Sequence, residues 1–142
     1  MDTGLAGKAA LVGGASRGIG RAIALALGRE GCRVALCARN EEPLRAAAAA
    51  IHAESGVQTI PIVCDMARYD DIKAAVARAA ETFGRLDIVV NNAGGPPTGT
   101  FDNLDENYWR HALDQNLLSA VRTIREALPH LRRSGAGRII NI

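Results

Sequence analysis

A chain of 142 residues, 48% hydrophobic and 23% charged, has the balance of a globular domain and excludes a disordered one. Aromatic residues contribute only 4%, while alanine, glycine and β-branched residues are abundant, which suits helices lying close on a sheet. The formal net charge of +2, with no long run of one sign, excludes the electrostatic footprint of a nucleic-acid partner or an anionic membrane surface.

The opening run carries Lys8 where a secretory leader needs a continuous apolar core, and no later apolar run reaches transmembrane length, so a cytoplasmic protein is expected. In chain order, strands are predicted over 8–12, 33–37, 57–63, 86–90 and 138–142, because these runs are short, apolar and rich in Val, Ile and Leu. Helices are predicted between them over 18–30, 41–55, 69–83 and 105–133, with Gly31, Gly56, Gly84 and Gly135 just past the helical stretches. Continuously apolar strands joined by helical crossovers imply parallel pairing with both faces covered. The expected fold class is α/β, a Rossmann-like doubly wound parallel sheet with helices on both faces. Cys32, Cys37 and Cys64 are odd in number and lack CxxC spacing, which reads as small buried hydrophobes. His52, His111 and His130 fall on separate helices without ligand spacing, so no metal is expected.

After the first strand the sequence runs Gly13-Gly14-Ala15-Ser16-Arg17-Gly18-Ile19-Gly20 straight into a helix. Strand, glycine loop and helix aim backbone N–H groups at a phosphate. Glycines at 14, 18 and 20 permit a tight turn, close approach to a pyrophosphate and close helix packing. The spacing is not G-x-G-x-x-G, because Ile23 stands three positions after Gly20. On its own such a loop serves a purely structural turn as well.

Three further features carry a resemblance: Asn91-Asn92-Ala93-Gly94 after the fourth strand, Cys64-Asp65 after the third, and Asn116 in the last helix. With G-x-x-x-G-x-G at the first turn, the chain resembles the short-chain dehydrogenase/reductase family from Lys8 to Ile142. The run 94–109 is similar to members related to 3-oxoacyl-carrier-protein reductases. The resemblance implies that Gly14, Ser16, Arg17, Gly18, Ile19, Gly20, Arg39, Asp65, Asn91, Ala93 and Gly94 line a dinucleotide pocket. It also implies that Asn116 belongs to the catalytic set and holds a water. Asn116 sits on an apolar stripe with Leu113, Leu117, Ala120 and Ile124, so a buried amide is expected; a structural asparagine bonding to nearby backbone is the alternative.

The second strand ends Ala38-Arg39-Asn40, without the acid that binds a ribose 2′-hydroxyl. Glu41 and Glu42 read as first-turn helix residues. Arg39 and Arg17 supply guanidinium groups suited to a 2′-phosphate, favouring NADP(H) over NAD(H).

Two departures from the family pattern stand out. Gly13 replaces the usual threonine, removing a side-chain hydrogen bond to the loop. The family's serine after the fifth strand and its Tyr-x-x-x-Lys pair do not occur within the 142 residues, and Tyr69-x-x-x-Lys73 matches the letters on an earlier helix. The strand RIINI at 138–142 has no turn or covering helix after it. The expectation is a single dinucleotide-binding domain over 1–142, incomplete at its C-terminus and inactive alone. The whole protein is then an NADP(H)-dependent oxidoreductase, transferring hydride between the nicotinamide and an alcohol or ketone, and a homo-oligomer. A non-catalytic nucleotide-binding or structural module is the alternative.

Overall fold

The computed structural model describes residues 2–95 and 98–142; Pro96 and Pro97, within the run 94–109, lie outside the described residues. Five parallel strands pair in the order β3-β2-β1-β4-β5: β1 Ala9–Val12, β2 Arg33–Ala38, β3 Thr59–Val63, β4 Ile88–Asn91 and β5 Arg138–Asn141. Helices α1 Gly18–Arg29, α2 Glu41–Ser55 and α3 Tyr69–Phe83 follow the first three strands. After β4 come a 3-10 turn at Phe101–Asn103, α4 Glu106–Leu113, a π turn Asp114–Leu118 and α5 Ser119–Ser134. The Rossmann-like doubly wound sheet expected from the sequence is present.

Alternate strand residues divide between two apolar layers, as the two-residue side-chain period requires. Ala9 and Leu11 join Ala35, Cys37 and Val89 under Val76, Phe83 and Leu131 of α3 and α5. Ala10 and Val12 join Val34, Leu36, Ile88 and Val90 under Ala24, Leu44 and Ile51 of α1 and α2. Burial on both faces explains why the strands read as unbroken apolar runs. Cys32, Cys37 and Cys64 are buried free thiols, and the hydrogen bond to Cys64 together with burial pushes the Cys37 thiol up, keeping it protonated.

The last predicted helix, 105–133, is interrupted. Within it the Ser119 Oγ donates to the Gln115 carbonyl (2.6 Å), Asn116 Nδ2 to the Ala112 carbonyl (2.9 Å) and Thr123 Oγ1 to the Ser119 carbonyl (2.8 Å). Side chains that bond to the carbonyls of the preceding turn compete with the backbone ladder, and a π turn is the local outcome. The row facing the body is Ser119, Thr123, Ala127 and Leu131, one position out of phase with the expected 116, 120 and 124. Small residues let α5 approach closely, while Leu113 and Leu117 stay 51% and 56% exposed.

At the amino ends of the strands lies Asp87, with 0% exposure. Its Oδ2 accepts from the Ala9 N–H (2.9 Å) and Arg85 Nε (2.8 Å), and its Oδ1 from Arg85 Nη2 (2.6 Å). Its backbone N–H donates to the Ala9 carbonyl, and its carbonyl accepts from the Arg138 N–H. One residue thus ties together the starts of β1, β4 and β5. Burial pushes its carboxyl up, but the hydrogen bonds from Arg85 and Ala9, with the charges of Arg85 and Lys8, outweigh it and hold the group below the ordinary aspartate range.

Among the described residues no helix is long and apolar enough to cross a membrane. A lowered folded-state pKa contributes stability above the unfolded value near 4, and that contribution is lost as pH falls toward the folded value. Wild-type stability is therefore expected to fall below about pH 4, and Asp87→Asn is expected to flatten that acid limb. Asp87→Ala, which strands the buried Ala9 N–H, is expected to cost about 2 kcal/mol. Urea unfolding between pH 3 and 7 checks both; an unchanged acid limb in Asp87→Asn refutes the assignment.

Candidate functional site

The chain runs β1 to β3 toward one edge of the sheet, then returns to place β4 on the other side of β1. At that reversal neighbouring loops diverge and leave a crevice at the carboxyl ends of the strands. A cleft of about 560 Å³ opens there, within the usual size of a ligand site. The β1–α1 loop contributes Gly14, Ser16, Arg17, Gly18 and Ile19. The end of β2 contributes Ala38, Arg39 and Asn40, the first turn of α2 Pro43, the end of β3 Cys64, Asp65 and Met66, and the segment after β4 Asn92, Ala93, Gly94 and Gly95.

The loop is held by the main chain. The Gly13 N–H donates to the Val90 carbonyl and the Ala15 N–H to the Cys37 carbonyl, both at 3.0 Å. Asn92 Nδ2 donates to the Gly13 carbonyl at 3.1 Å. A Cβ on Gly13 would lie 2.8 Å from the Asn92 carbonyl oxygen, and one on Gly14 2.7 Å from the same atom. Gly13 is therefore a close-approach position, and the loop is fixed by Asn92 and by β4 and β2 without a side chain at 13. Gly20 is buried beneath the loop, where a Cβ would strike the Gly14 carbonyl and come 2.8 Å from Asn92 Nδ2. Gly18 differs: its φ is +55° and the space around it is open, so it keeps backbone exposed toward the cleft. The first turn of α1 has no acidic residue and no side-chain cap, leaving its N–H groups available to an anion.

The expected pocket residues converge, with two exceptions. Gly20 supports the loop from below. Asn91 is buried at the end of β4, where its Nδ2 donates to Asn141 Oδ1 (2.8 Å) and its own Oδ1 has no partner. Arg17 and Arg39 are both exposed on the cleft, and no carboxylate of the β2 end lines it. Asp65 Oδ1 accepts from the Ala67 N–H (3.0 Å), which leaves Oδ2 free for a ligand, and the Asp65 N–H donates to Asp71 Oδ2 (3.0 Å). Ile19 presents a 62% exposed apolar side chain.

The expected burial of the Asn116 amide is corrected by the structure. Asn116 is exposed, lies in the π turn, does not line the cleft and donates to the Ala112 carbonyl; the buried amide of that turn is Gln115. The shift in helical phase described above moves it out. Tyr69 also stands away from the cleft, donating to Glu126 Oε1 at 2.6 Å, and that carboxylate pushes its hydroxyl up. The sequence reading missed Asn92, whose signal was its place beside Asn91 in a doubled asparagine. It also missed the walls made by Asn40, Pro43 and Met66, which carry no motif of their own, and by Cys64, read only as the neighbour of Asp65 and as a buried hydrophobe. Among the described residues no group of three or more His, Cys, Asp or Glu could hold a metal ion.

The two glycines generate contrasting expectations. Gly18→Ala meets no atom and bears only the positive φ, a cost of about 1 kcal/mol. Gly20→Ala must displace backbone, and overpacking of this kind costs about 3 kcal/mol. Paired denaturant titrations check the order, and equal losses would show that Gly20 is not a close-packing position.

The short chain dehydrogenase family profile matches residues 8–142. The 3-oxoacyl-(acyl-carrier-protein) reductase of Staphylococcus aureus is 40% identical over 136 residues, covering 95% of this chain and 55% of that protein. The crystal structure of L-sorbose reductase from Gluconobacter frateurii, complexed with NADPH and L-sorbose, superposes with a TM-score of 0.95 at 35% identity, covering 99% of this chain and 54% of the other. A short chain dehydrogenase from Burkholderia cenocepacia in complex with NADP matches with a TM-score of 0.84 at 41% identity over 89% of this chain and 52% of that one. The chain spans about half the length of these relatives. Glycine loop, doubled asparagine, strand order and a match along nearly the whole chain agree, and the chain belongs to the short-chain dehydrogenase family.

Proposed function

We propose that the cleft binds NADP(H) in preference to NAD(H), and that the chain is the cofactor-binding part of an oxidoreductase acting between an alcohol and a ketone. The observation that carries this reading is the pair of exposed guanidinium groups, Arg17 and Arg39, on one cleft whose β2 end offers no acid. Two arginines on one pocket suit a 2′-phosphate, where an acid would repel it. The relatives solved with NADPH and NADP support the same cofactor.

The residues present fit such a ligand. The open space over Gly18 and the uncapped first turn of α1 receive the pyrophosphate on backbone N–H groups. Asp65 would hold the adenosine end through its remaining carboxylate oxygen, and Ala93 and Gly94 would border the nicotinamide end. When bound, the cofactor supplies the hydride chemistry. The chain's own part is to orient it and to keep anionic groups from its phosphates. Asn116, with its Nδ2 engaged by the Ala112 carbonyl, retains an oxygen able to hold a water beside the π turn. A cytoplasmic homo-oligomer belongs to the same proposal; its association is supported by the exposed row Trp109, Leu113, Leu117 and Val121 of α4, the π turn and α5.

Arg39→Asp is expected to lower the ratio of NADPH to NADH affinity by about ten- to a hundredfold, the worth of one charge-assisted hydrogen bond. Fluorescence titration with both nucleotides reads this, and a ratio within about twofold of wild type makes Arg39 a surface charge only. The 142 residues carry no serine or Tyr-x-x-x-Lys pair after β5, and acid/base groups contribute about 10² to 10⁴-fold to such reactions. This chain is therefore expected to bind NADPH without turning over simple ketones or 3-oxoacyl esters; turnover would overturn that division of labour.

A further inference from the structure

Between the cleft and the π turn stands one side chain that neither touches the open space nor belongs to the apolar layers. Arg122 of α5 is 24% exposed and spans two separate elements. Its Nη2 donates to Asp114 Oδ1 at 2.9 Å, at the start of the π turn. Its Nη1 donates to the Ala67 carbonyl at 3.1 Å. Ala67 lies in the irregular loop between β3 and α3 whose first residues, Cys64, Asp65 and Met66, form one wall of the cleft.

Cys64 and Met66 anchor the start of that loop, Cys64 buried in the core with its N–H on the Ala38 carbonyl and Met66 packed against the same layer, whereas Ala67 beyond them has no such anchor. The loop forms no strand or helix, and the Ala67 side chain offers a single methyl group. Its shape rests on polar contacts: the Ala67 N–H on Asp65 Oδ1 (3.0 Å), the Asp65 N–H on Asp71 Oδ2 (3.0 Å) and the Arg68 N–H on the Asp65 carbonyl (2.9 Å). Ala67 is therefore gripped on its N–H side by the carboxylate that faces the cleft and on its carbonyl side by Arg122. A planar guanidinium can direct two N–H groups at acceptors on different elements, which the point charge of an ammonium does less well. Holding a loop in its bound shape before the ligand arrives removes an ordering cost from binding.

We propose that Arg122 is a positioning residue for the cofactor: through Ala67 it sets the Asp65 carboxylate, and through Asp114 it couples that wall of the cleft to the π turn bearing Asn116. The proposal rests on the reading of the cleft as an NADP(H) site and adds a coupling between the adenosine end of the ligand and a helix that does not line its pocket. Coupling of this kind is a demonstrable free energy only when two perturbations fail to add.

The test titrates the chain with adenosine 2′,5′-bisphosphate and with NADPH, alongside ligand-free thermal melts that confirm folding. Arg122→Ala is expected to weaken both ligands about tenfold, the worth of one hydrogen bond to a charged group. Arg122→Lys, which keeps the charge and the stem, is expected to weaken them about threefold and carries the test if the alanine variant does not fold. Asp114→Ala is expected to weaken binding in the wild-type background, less so in the Arg122→Lys background, and to change nothing in the Arg122→Ala background. A merely structural role would move the melts and leave the two effects additive. Arg122 variants that bind within about twofold of wild type, or additive effects, overturn the proposal while leaving the cofactor reading intact. A wild-type chain that binds neither ligand overturns both.

Discussion

The absence of side chains where the β1–α1 loop meets the segment after β4 is the constraint on which the site depends. Gly13 and Gly14 of the loop and Gly20 of α1 bring two backbone segments to the Asn92 peptide and amide, and a Cβ on any of the three would collide with backbone atoms that cannot rotate away. That contact brings the loop against the start of α1 and fixes the direction of its unpaired N–H groups. It also fixes the distance between the Arg17 and Ala93 sides of the cleft, because both belong to segments joined through Asn92. The apolar layers supply most of the stability, but the width and orientation of the binding space come from this polar, nearly side-chain-free contact.

Polar groups with long reach divide between the two ends of the sheet. At the amino ends, Asp87 collects the Ala9 N–H, the Arg85 guanidinium and the backbone of β5. At the carboxyl ends, Arg17 and Arg39 form no ion pair among the described residues, and the end of β2 brings no carboxylate to their cleft, whose one acid, Asp65, comes from the end of β3. A buried acid that is fully partnered contributes to the fold; exposed cations with space before them are available to a ligand. The same separation explains why Tyr69, although followed by Lys73 four residues later, carries no claim on the chemistry: it bonds to Glu126 on the outer surface of α3 and α5.

Much of this was legible in the sequence because local and long-range signals agreed. Helices over 41–55 and 69–83 match α2 and α3 residue for residue, since alanine-rich stretches between a polar start and a left-handed glycine leave few alternatives. Gly56 and Gly84 have the positive φ that such ends need. β2 and β5 begin where expected, but β3 and β4 each begin two residues later, because Val57 and Leu86 are apolar without being paired; pairing is set by neighbours that a single run of sequence does not reveal. The last helix misled for a different reason. Hydropathy placed Asn116 among leucines, whereas the packing face follows the small hydroxyl residues Ser119 and Thr123, whose polarity is hidden in bonds to their own helix. In the cleft, motif residues were readable from glycine and charge, while Pro43, Cys64 and Met66 became walls only through the fold.

The strand order also has a consequence during synthesis. β1 is central and buried, yet the partner on one of its two sides is β4, and the bond from the Ala9 N–H to Asp87 joins residues 78 positions apart. At about 5–20 residues per second, β1 waits roughly 4 to 16 s for that partner to be made. Throughout that interval one row of N–H and C=O groups on β1 has no strand beside it, and such an edge is a template for pairing with another chain. The shortness of β1, only four residues long, limits how much foreign strand it could capture, so the same brevity that makes it an inconspicuous run in the sequence protects the nascent sheet.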